Sequence, residues 1–179
     1  MSEPKEAQGR FIEIELSRRG VRCRARLLDD QAPHTAQAVW DALPLAGDVY
    51  HAKYARNELY TFVEPLTPVP LALEHPTVTP IPGDVCCFDF AAGQLPAASY
   101  GYGAGEGAGG RDRVVDLALF YGRNNLLLNG DVGFVPANVF ATVVEGLEAM
   151  ASAAHDVWRA GAVGEQLAFR RLEAGGAAQ

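Results

Sequence analysis

Residues 29–44 read DDQAPHTAQAVWDALP, and this stretch predicts one short helix between segments of β-strand. Pro33 falls in the first helical turn, where its missing N–H group costs nothing. Pro44 ends the pattern, because proline cannot continue a helix. The apolar residues between the prolines recur at helical spacing and form one face: Ala36, Val39, Trp40 and Leu43. We therefore predict a helix over residues 33–43 that covers an apolar sheet or barrel.

Period-two alternation on both sides of this helix predicts strands. Residues 11–16 and 21–27 alternate around a turn that contains Gly20, a pattern typical of a β-hairpin. After the helix, residues 49–54 and 58–63 also have strand-like sequences. Many short strands with few helices are typical of a closed or nearly closed β-barrel with capped ends.

Two loops and a second helix follow. Six prolines lie between residues 65 and 82, and they exclude a helix or a central strand there. Six glycines lie between residues 101 and 110 and predict a flexible loop over one rim of the sheet. The spacing of apolar residues predicts the second helix over residues 146–159, with Trp158 on its apolar face.

Length and charge predict one globular domain and exclude two classes of partner. A chain of 179 residues fits one domain, which we expect over residues 11–173, between a disordered tail at 1–10 and a second tail at 174–179. The 15 basic and 22 acidic residues leave a net charge of −7. This balance argues against nucleic acid, which needs a positive face, and against an anionic membrane surface. No apolar run approaches the ~18 residues of a membrane span.

The cysteines, histidines and glycines predict no disulfide framework, metal site or cofactor. Cys86 and Cys87 are adjacent and should point to opposite faces of a strand. With Cys23 the count is odd, which favours a reducing cytoplasm. The four histidines share no metal-ligand spacing. The glycines at 105–110 match a dinucleotide-binding pattern, but a strand follows them where that pattern requires a helix.

Two stretches resemble the cyclophilins. RARLLDDQAPHTAQAVWDAL, residues 24–43, is similar to the segment in which a strand leads through an acidic turn to Pro-x-Thr and the first helix. NVFATVVEGLEAMASAAHDVW, residues 138–158, is similar to the pattern Val-Phe-x-x-Val-x-Glu-Gly before a helix and a final strand. LALFYGRNNLL and PGDVCCFDF resemble a small bacterial cyclophilin-like family of unknown function. The resemblance implies a mainly β fold, a cyclophilin-like closed β-barrel with two capping α-helices.

One position departs from the prolyl isomerases of that superfamily. Cyclophilins carry an Arg directly after a His in the strand that leaves the first helix, and that Arg supports isomerisation. In this chain Ala52 follows His51. The resemblance therefore implies weak or residual isomerase activity at most.

The sequence YGRNN at residues 121–125 is the strongest candidate for ligand binding. It follows an apolar strand and should emerge at a barrel rim, where ligand sites are favoured. Arg123 can hold a carboxylate through two parallel hydrogen bonds, and the two Asn side chains can read an amide or ureido group. The alternative is a solvated loop with left-handed Asn residues. With the strand after the first helix, the candidate ligand-binding residues are His51, Lys53, Tyr54, Tyr121, Arg123, Asn124 and Asn125.

These residues predict a cytoplasmic protein that binds a small polar or anionic metabolite at a rim pocket. No reaction follows from them, so the sequence leaves open whether the protein is an enzyme. Two alternatives remain: a weak peptidyl-prolyl cis-trans isomerase, and a non-catalytic assembly module that pairs with itself or a partner. A homo-oligomer is compatible with each hypothesis.

Overall fold

The computed structural model describes residues 9–91, 94–95 and 112–172. Most of the predicted tail residues and the whole glycine-rich segment lie outside these ranges. The prediction that the glycine-rich segment forms a loop over the rim therefore concerns residues outside the described part of the chain. The elements are β1 (Phe11–Leu16), β2 (Val21–Leu27), α1 (Pro33–Ala42), β3 (Leu45–Asp48), β4 (Tyr50–His51), β5 (Glu58–Val63), β6 (Pro76–Thr77), β7 (Asp84–Ala91), β8 (Arg113–Phe120), β9 (Leu128–Asn129), β10 (Gly133–Phe134), β11 (Ala137–Glu145), α2 (Leu147–Ala160) and β12 (Gln166–Leu172).

Antiparallel pairing organises these strands into one large sheet. Its order is β3-β12-β1-β2-β11-β7-β8-β5-β4, and β6 also pairs with β11. β9 and β10 form a separate two-stranded ladder. The prediction of a mainly β structure with two substantial helices is therefore confirmed for the described residues. No helix in these ranges is both long enough and apolar enough to cross a membrane.

The sheet is not closed into a barrel by strand pairing, so the closed cyclophilin-like barrel is not confirmed. Its two edge strands, β3 and β4, are consecutive in the chain and change partner at Val49. The Val49 amide donates to the Glu165 carbonyl at 3.1 Å, beside β12, and Tyr50 pairs with Tyr60 on β5. β3 therefore pairs with β12 and β4 pairs with β5, so these two consecutive strands lie at opposite ends of the strand order.

Both faces of the sheet are buried, in two separate apolar clusters. The first includes Val39 of α1 and Met150 of α2, so the helices cover this face. The second lies on the opposite face of β5, β7 and β8. Cys87 belongs to the first cluster and Cys86 to the second, as strand alternation predicts. The central strands therefore carry apolar side chains on both faces. Among the described residues, no helix contributes to the second cluster.

Trp40 packs against the first apolar cluster, as its place on the apolar face of α1 predicts, whereas Trp158 does not lie on the apolar face of α2. Trp40 is half-buried, and the guanidinium groups of Arg10 and Arg171 lie 5.1 and 5.3 Å from its ring centre. Trp158 is 68% exposed, so its placement on the apolar face of α2 was wrong. The buried stripe of α2 ends at Val157, and the next residue is rotated by about 100° around the helix.

The proline-rich segment is held to the domain by polar contacts. Glu74 caps α1, because its Oε1 accepts from the Thr35 amide at 2.6 Å and its Oε2 from the His34 amide at 3.3 Å. Ala32, at the helix N-terminus, has no side chain that can do this. Burial raises the pKa of Glu74, but hydrogen bonds from Thr35 and His34 outweigh it and leave the pKa below its usual value.

Candidate functional site

A cavity on the second face of the sheet, here called the carboxyl cavity, has a volume of about 80 Å³. Strands β5, β7 and β8 form its base, and the loops after β4 and before β9 form its sides. Its aromatic lining consists of Tyr54, Tyr60, Phe62, Phe88 and Phe90. Two acidic residues, Glu58 and Asp116, lie in the same lining.

Strand pairing places these acids on one face. Glu58 pairs with Phe120, and Phe62 pairs with Asp116, across the antiparallel strands β5 and β8. Because side chains alternate along a strand, Glu58, Tyr60 and Phe62 point to the same side. Glu58 is 6% exposed and Asp116 is 7% exposed. Two carboxyl groups therefore share one largely apolar cavity.

The environment disfavours the charged form of both acids. Burial raises the pKa of Glu58 to about 8. Burial and the nearby Glu58 raise the pKa of Asp116 well above its usual value. The Asp116 Oδ1 atom is buried and has no hydrogen-bond partner. A buried carboxylate without a partner costs free energy. Asp116 should therefore be either a neutral acid or a carboxylate paired with a cation.

A second cavity, of about 520 Å³, adjoins the first. The two share the lining residues Phe88, Phe90 and Val135. Asp89 also lines the second cavity, but Arg113 pairs with it, with its Nε 2.6 Å from the Asp89 Oδ1. A ligand too large for the carboxyl cavity therefore has further space next to it, lined by both apolar and polar side chains.

His51 and Tyr121, both predicted as site residues, are in direct contact on the helix-covered side. The His51 Nδ1 donates to the Ala52 carbonyl at 3.1 Å, because a carbonyl can only accept. Nε2 then accepts from the Tyr121 hydroxyl, at 2.5 Å. Burial lowers the pKa of His51 and raises that of Tyr121 to about 12. His155 packs edge-on against Tyr121, with ring centres 5.3 Å apart.

The remaining candidates do not form one cluster. Arg123 and Asn124 are exposed and are not among the described residues that line the two cavities. Asn124 has φ of 63°, the left-handed loop conformation weighed as the alternative. Asn125 is buried, and its Nδ2 donates to the carbonyls of Gly122 and Pro80 at 2.7 and 2.9 Å. Its side chain thus fixes the loop.

Lys53 and Tyr54 both line the carboxyl cavity, so the structure separates them from the His51–Tyr121 pair. Sequence reasoning missed Glu58 and Asp116. The available signal was Asp116 itself, an acid inside the apolar strand VVDLALF. In the described part of the chain, no group of three acidic, Cys or His side chains could hold a metal ion.

The comparisons with known proteins support the fold and name a family. A solved structure described as "Structure of McbB in complex with tryptophan" matches with a TM-score of 0.62 and 21% identity. The match covers 94% of this chain and 46% of that chain, so this chain spans about half the length of its neighbour. At this identity the likeness shows the fold alone. No curated protein matches the chain. The cyclophilin-like resemblance is not confirmed by these comparisons. Residues 14–169 match the model of the family "Protein of unknown function (DUF3830)", and the chain belongs to that family.

Proposed function

We propose that this protein binds a small organic cation with an aromatic group in the carboxyl cavity. The observation that carries the proposal is Asp116, which lines that cavity and whose buried Oδ1 has no hydrogen-bond partner. A buried carboxylate needs a hydrogen-bond donor with positive charge. An ammonium group provides both, and Glu58 adds a second acid nearby.

The rest of the lining suits the aromatic part of such a ligand. Tyr60, Phe62, Phe88 and Phe90 contribute aromatic surface. Aromatic rings stack in offset or edge-on pairs, and their faces attract organic cations. The carboxyl cavity holds an ammonium group and part of a ring, and the adjoining cavity accommodates the remainder of a larger molecule.

The solved structure with a similar fold supports the choice of test ligands. That protein is in complex with tryptophan, which carries both an amine and an aromatic ring. The ligand proposed here is an amine, which keeps the polar metabolite expected from the sequence and leaves the anionic one as a separate prediction.

A concave site with two acids also favours ligand binding over assembly. The assembly hypothesis requires a large apolar interface without a polar pocket, whereas this cavity combines apolar walls with two carboxyl groups. The isomerase alternative requires a cation where Ala52 stands. Ala52 supplies none, but Lys53 lines the same cavity, so the peptide assay with Lys53→Ala tests this alternative.

Calorimetric titration with three indoles tests the proposal. Tryptamine carries the amine, ethylindole lacks any charge, and indole propionate carries an acid. We expect tryptamine to bind about 10–100-fold more tightly than ethylindole, the usual effect of a charged hydrogen bond. Asp116→Asn should remove most of this preference. Asp156→Asn, at an exposed position of α2, is the matched control. Equal affinity for all three indoles, or no binding of tryptamine, would refute the proposal.

A further inference from the structure

We propose that Asp116 is an acid–base group as well as a binding group: it holds a proton in the empty carboxyl cavity and transfers it to a basic nitrogen of the ligand. The product of the transfer is a carboxylate paired with the protonated nitrogen. This inference rests on the proposed function, since the same cavity must admit the ligand. It adds an activity, proton transfer, to binding.

The geometry keeps the proton on Asp116 when the cavity is empty. Its Oδ1 is buried and receives no hydrogen bond, so an ionised carboxylate would lack compensation there. Glu58 lines the same cavity, and the electrostatic repulsion between two buried acids disfavours a double negative charge. The raised pKa values of both groups agree with this geometry.

Among the described residues, no contact pairs Asp116 with a positively charged side chain. Glu58 lies on β5, beside Tyr60. On β7, Cys86 is fully buried, and burial raises the pKa of its thiol, so it stays neutral. Cys87 is on the other face of β7 and is neutral for the same reason. The other titratable or charged groups in the lining of the cavity are Lys53 and Tyr54.

The step is a simple proton transfer and needs no other reactant. The O–H bond of the Asp116 carboxyl breaks, and its electrons remain on oxygen as the carboxylate. The lone pair of the ligand nitrogen forms the new N–H bond. The ligand class is therefore a base whose nitrogen is uncharged in solution, such as an imine or a nitrogen-containing aromatic ring. The resulting cation then pairs with the Asp116 carboxylate, whose Oδ1 has no hydrogen-bond partner within the protein.

Isoquinoline is a suitable probe, because it is neutral in solution at neutral pH and its cation has a distinct ultraviolet spectrum. We expect the spectrum of the bound molecule to be that of the cation. Asp116→Asn should abolish the cation signal, since an amide has no proton to transfer. Glu58→Gln should keep it, because Asp116 is still buried. Glu145→Gln, at an exposed position, is the control for the loss of one acid.

A carboxyl-carbon NMR titration of the ligand-free protein provides an independent measurement. We expect the Asp116 signal to be that of a protonated acid at neutral pH, and to become that of a carboxylate when tryptamine is added. A carboxylate signal in the empty protein would overturn the inference whatever the binding data show.

The outcomes separate this inference from the proposed function. Binding of tryptamine together with neutral bound isoquinoline would overturn the proton transfer and leave cation binding intact. Failure of both probes to bind would overturn the proposed function and the transfer with it. A cation signal that survives in Asp116→Asn and disappears in Glu58→Gln would assign the proton to Glu58 and overturn the role given to Asp116.

Discussion

Glu58 and Asp116 lie on the same face of two neighbouring antiparallel strands, and each is more than nine-tenths buried. Glu58 is at the start of β5, and Asp116 is in the middle of β8. Two acids in this position reduce the stability of the fold when they ionise. The cavity that they line provides the reason we propose for their presence, which is a cationic ligand.

Glu58→Gln should stabilise the protein in mildly alkaline solution. Burial raises the pKa of Glu58 to about 8, from a usual value of 4.5. Between these values the unfolded chain has lost a proton that the folded chain keeps, so wild-type stability falls as pH rises. The neutral amide removes this dependence, so above the upper pKa the variant should be more stable than the wild type by roughly 4–5 kcal/mol. Urea unfolding across this pH range, with Glu145→Gln as control, checks the prediction. A wild-type stability that does not fall with pH would contradict it.

Arg123→Ala distinguishes the two hypotheses for the binding site. A solvated loop Arg contributes only about 0–1 kcal/mol, so the melting temperature should stay nearly unchanged. If the carboxyl cavity is the site, the affinity for tryptamine should also be unchanged. If the site predicted from YGRNN is correct, the variant should lose about 1.5–3 kcal/mol of affinity for an anion such as indole propionate. Calorimetric titration of the variant with both ligands therefore decides between the sites.

Glu74→Gln should weaken the attachment of the proline-rich segment to α1. The carboxylate accepts the amide groups of His34 and Thr35, and the neutral amide side chain accepts more weakly. We expect a loss of about 1 kcal/mol in the free energy of unfolding at neutral pH, the usual size for a helix cap. The pKa of Glu74 is lowered, so its contribution is present above 4.5 and is lost as pH falls through the folded-state pKa. Urea unfolding should therefore show wild type and variant converging in acid, and a constant difference between them would count against this cap.

Tyr121→Phe should destabilise the contact between β4 and the end of β8. The hydroxyl donates to the His51 Nε2, and its removal leaves that half-buried nitrogen without the hydrogen bond. We expect a cost of about 1 kcal/mol in thermal unfolding. His51→Gln offers a comparison, because it keeps a side chain able to hydrogen-bond. An unchanged melting temperature in Tyr121→Phe would show that the hydrogen bond contributes nothing measurable.

The protein should not accelerate isomerisation of X-Pro bonds in a peptide assay. Such catalysis needs a positively charged donor that stabilises the twisted peptide bond, and Ala52 stands where the cyclophilin pattern has an Arg. The nearby cations are Lys53 and Arg56. Strong activity that is lost in Lys53→Ala or Arg56→Ala would show that one of them takes the role of the missing Arg.

The glycine, proline and apolar patterns predicted much of the secondary structure. The helix predicted at 33–43 is α1, which ends one residue earlier, and the helix predicted at 146–159 is α2, shifted by one residue. Strand alternation also separated Cys86 from Cys87 correctly. These features depend on neighbours within a few residues, so a single sequence contains them. The closed barrel was not confirmed, because the change of partner at Val49 depends on where distant strands lie.

The candidate site shows the same division. His51 and Tyr121, 70 positions apart, were both predicted, and they form a hydrogen bond; whether they bind a ligand stays a prediction. Asp116 stood out in the sequence only as an acid inside an apolar strand, and nothing local marks Glu58 as its neighbour on the same face. Local periodicity and turn residues therefore determined the helices, the hairpin and the mainly β class. Only the tertiary structure decided which side chains are removed from water together, because burial and long-range strand register depend on contacts between distant segments.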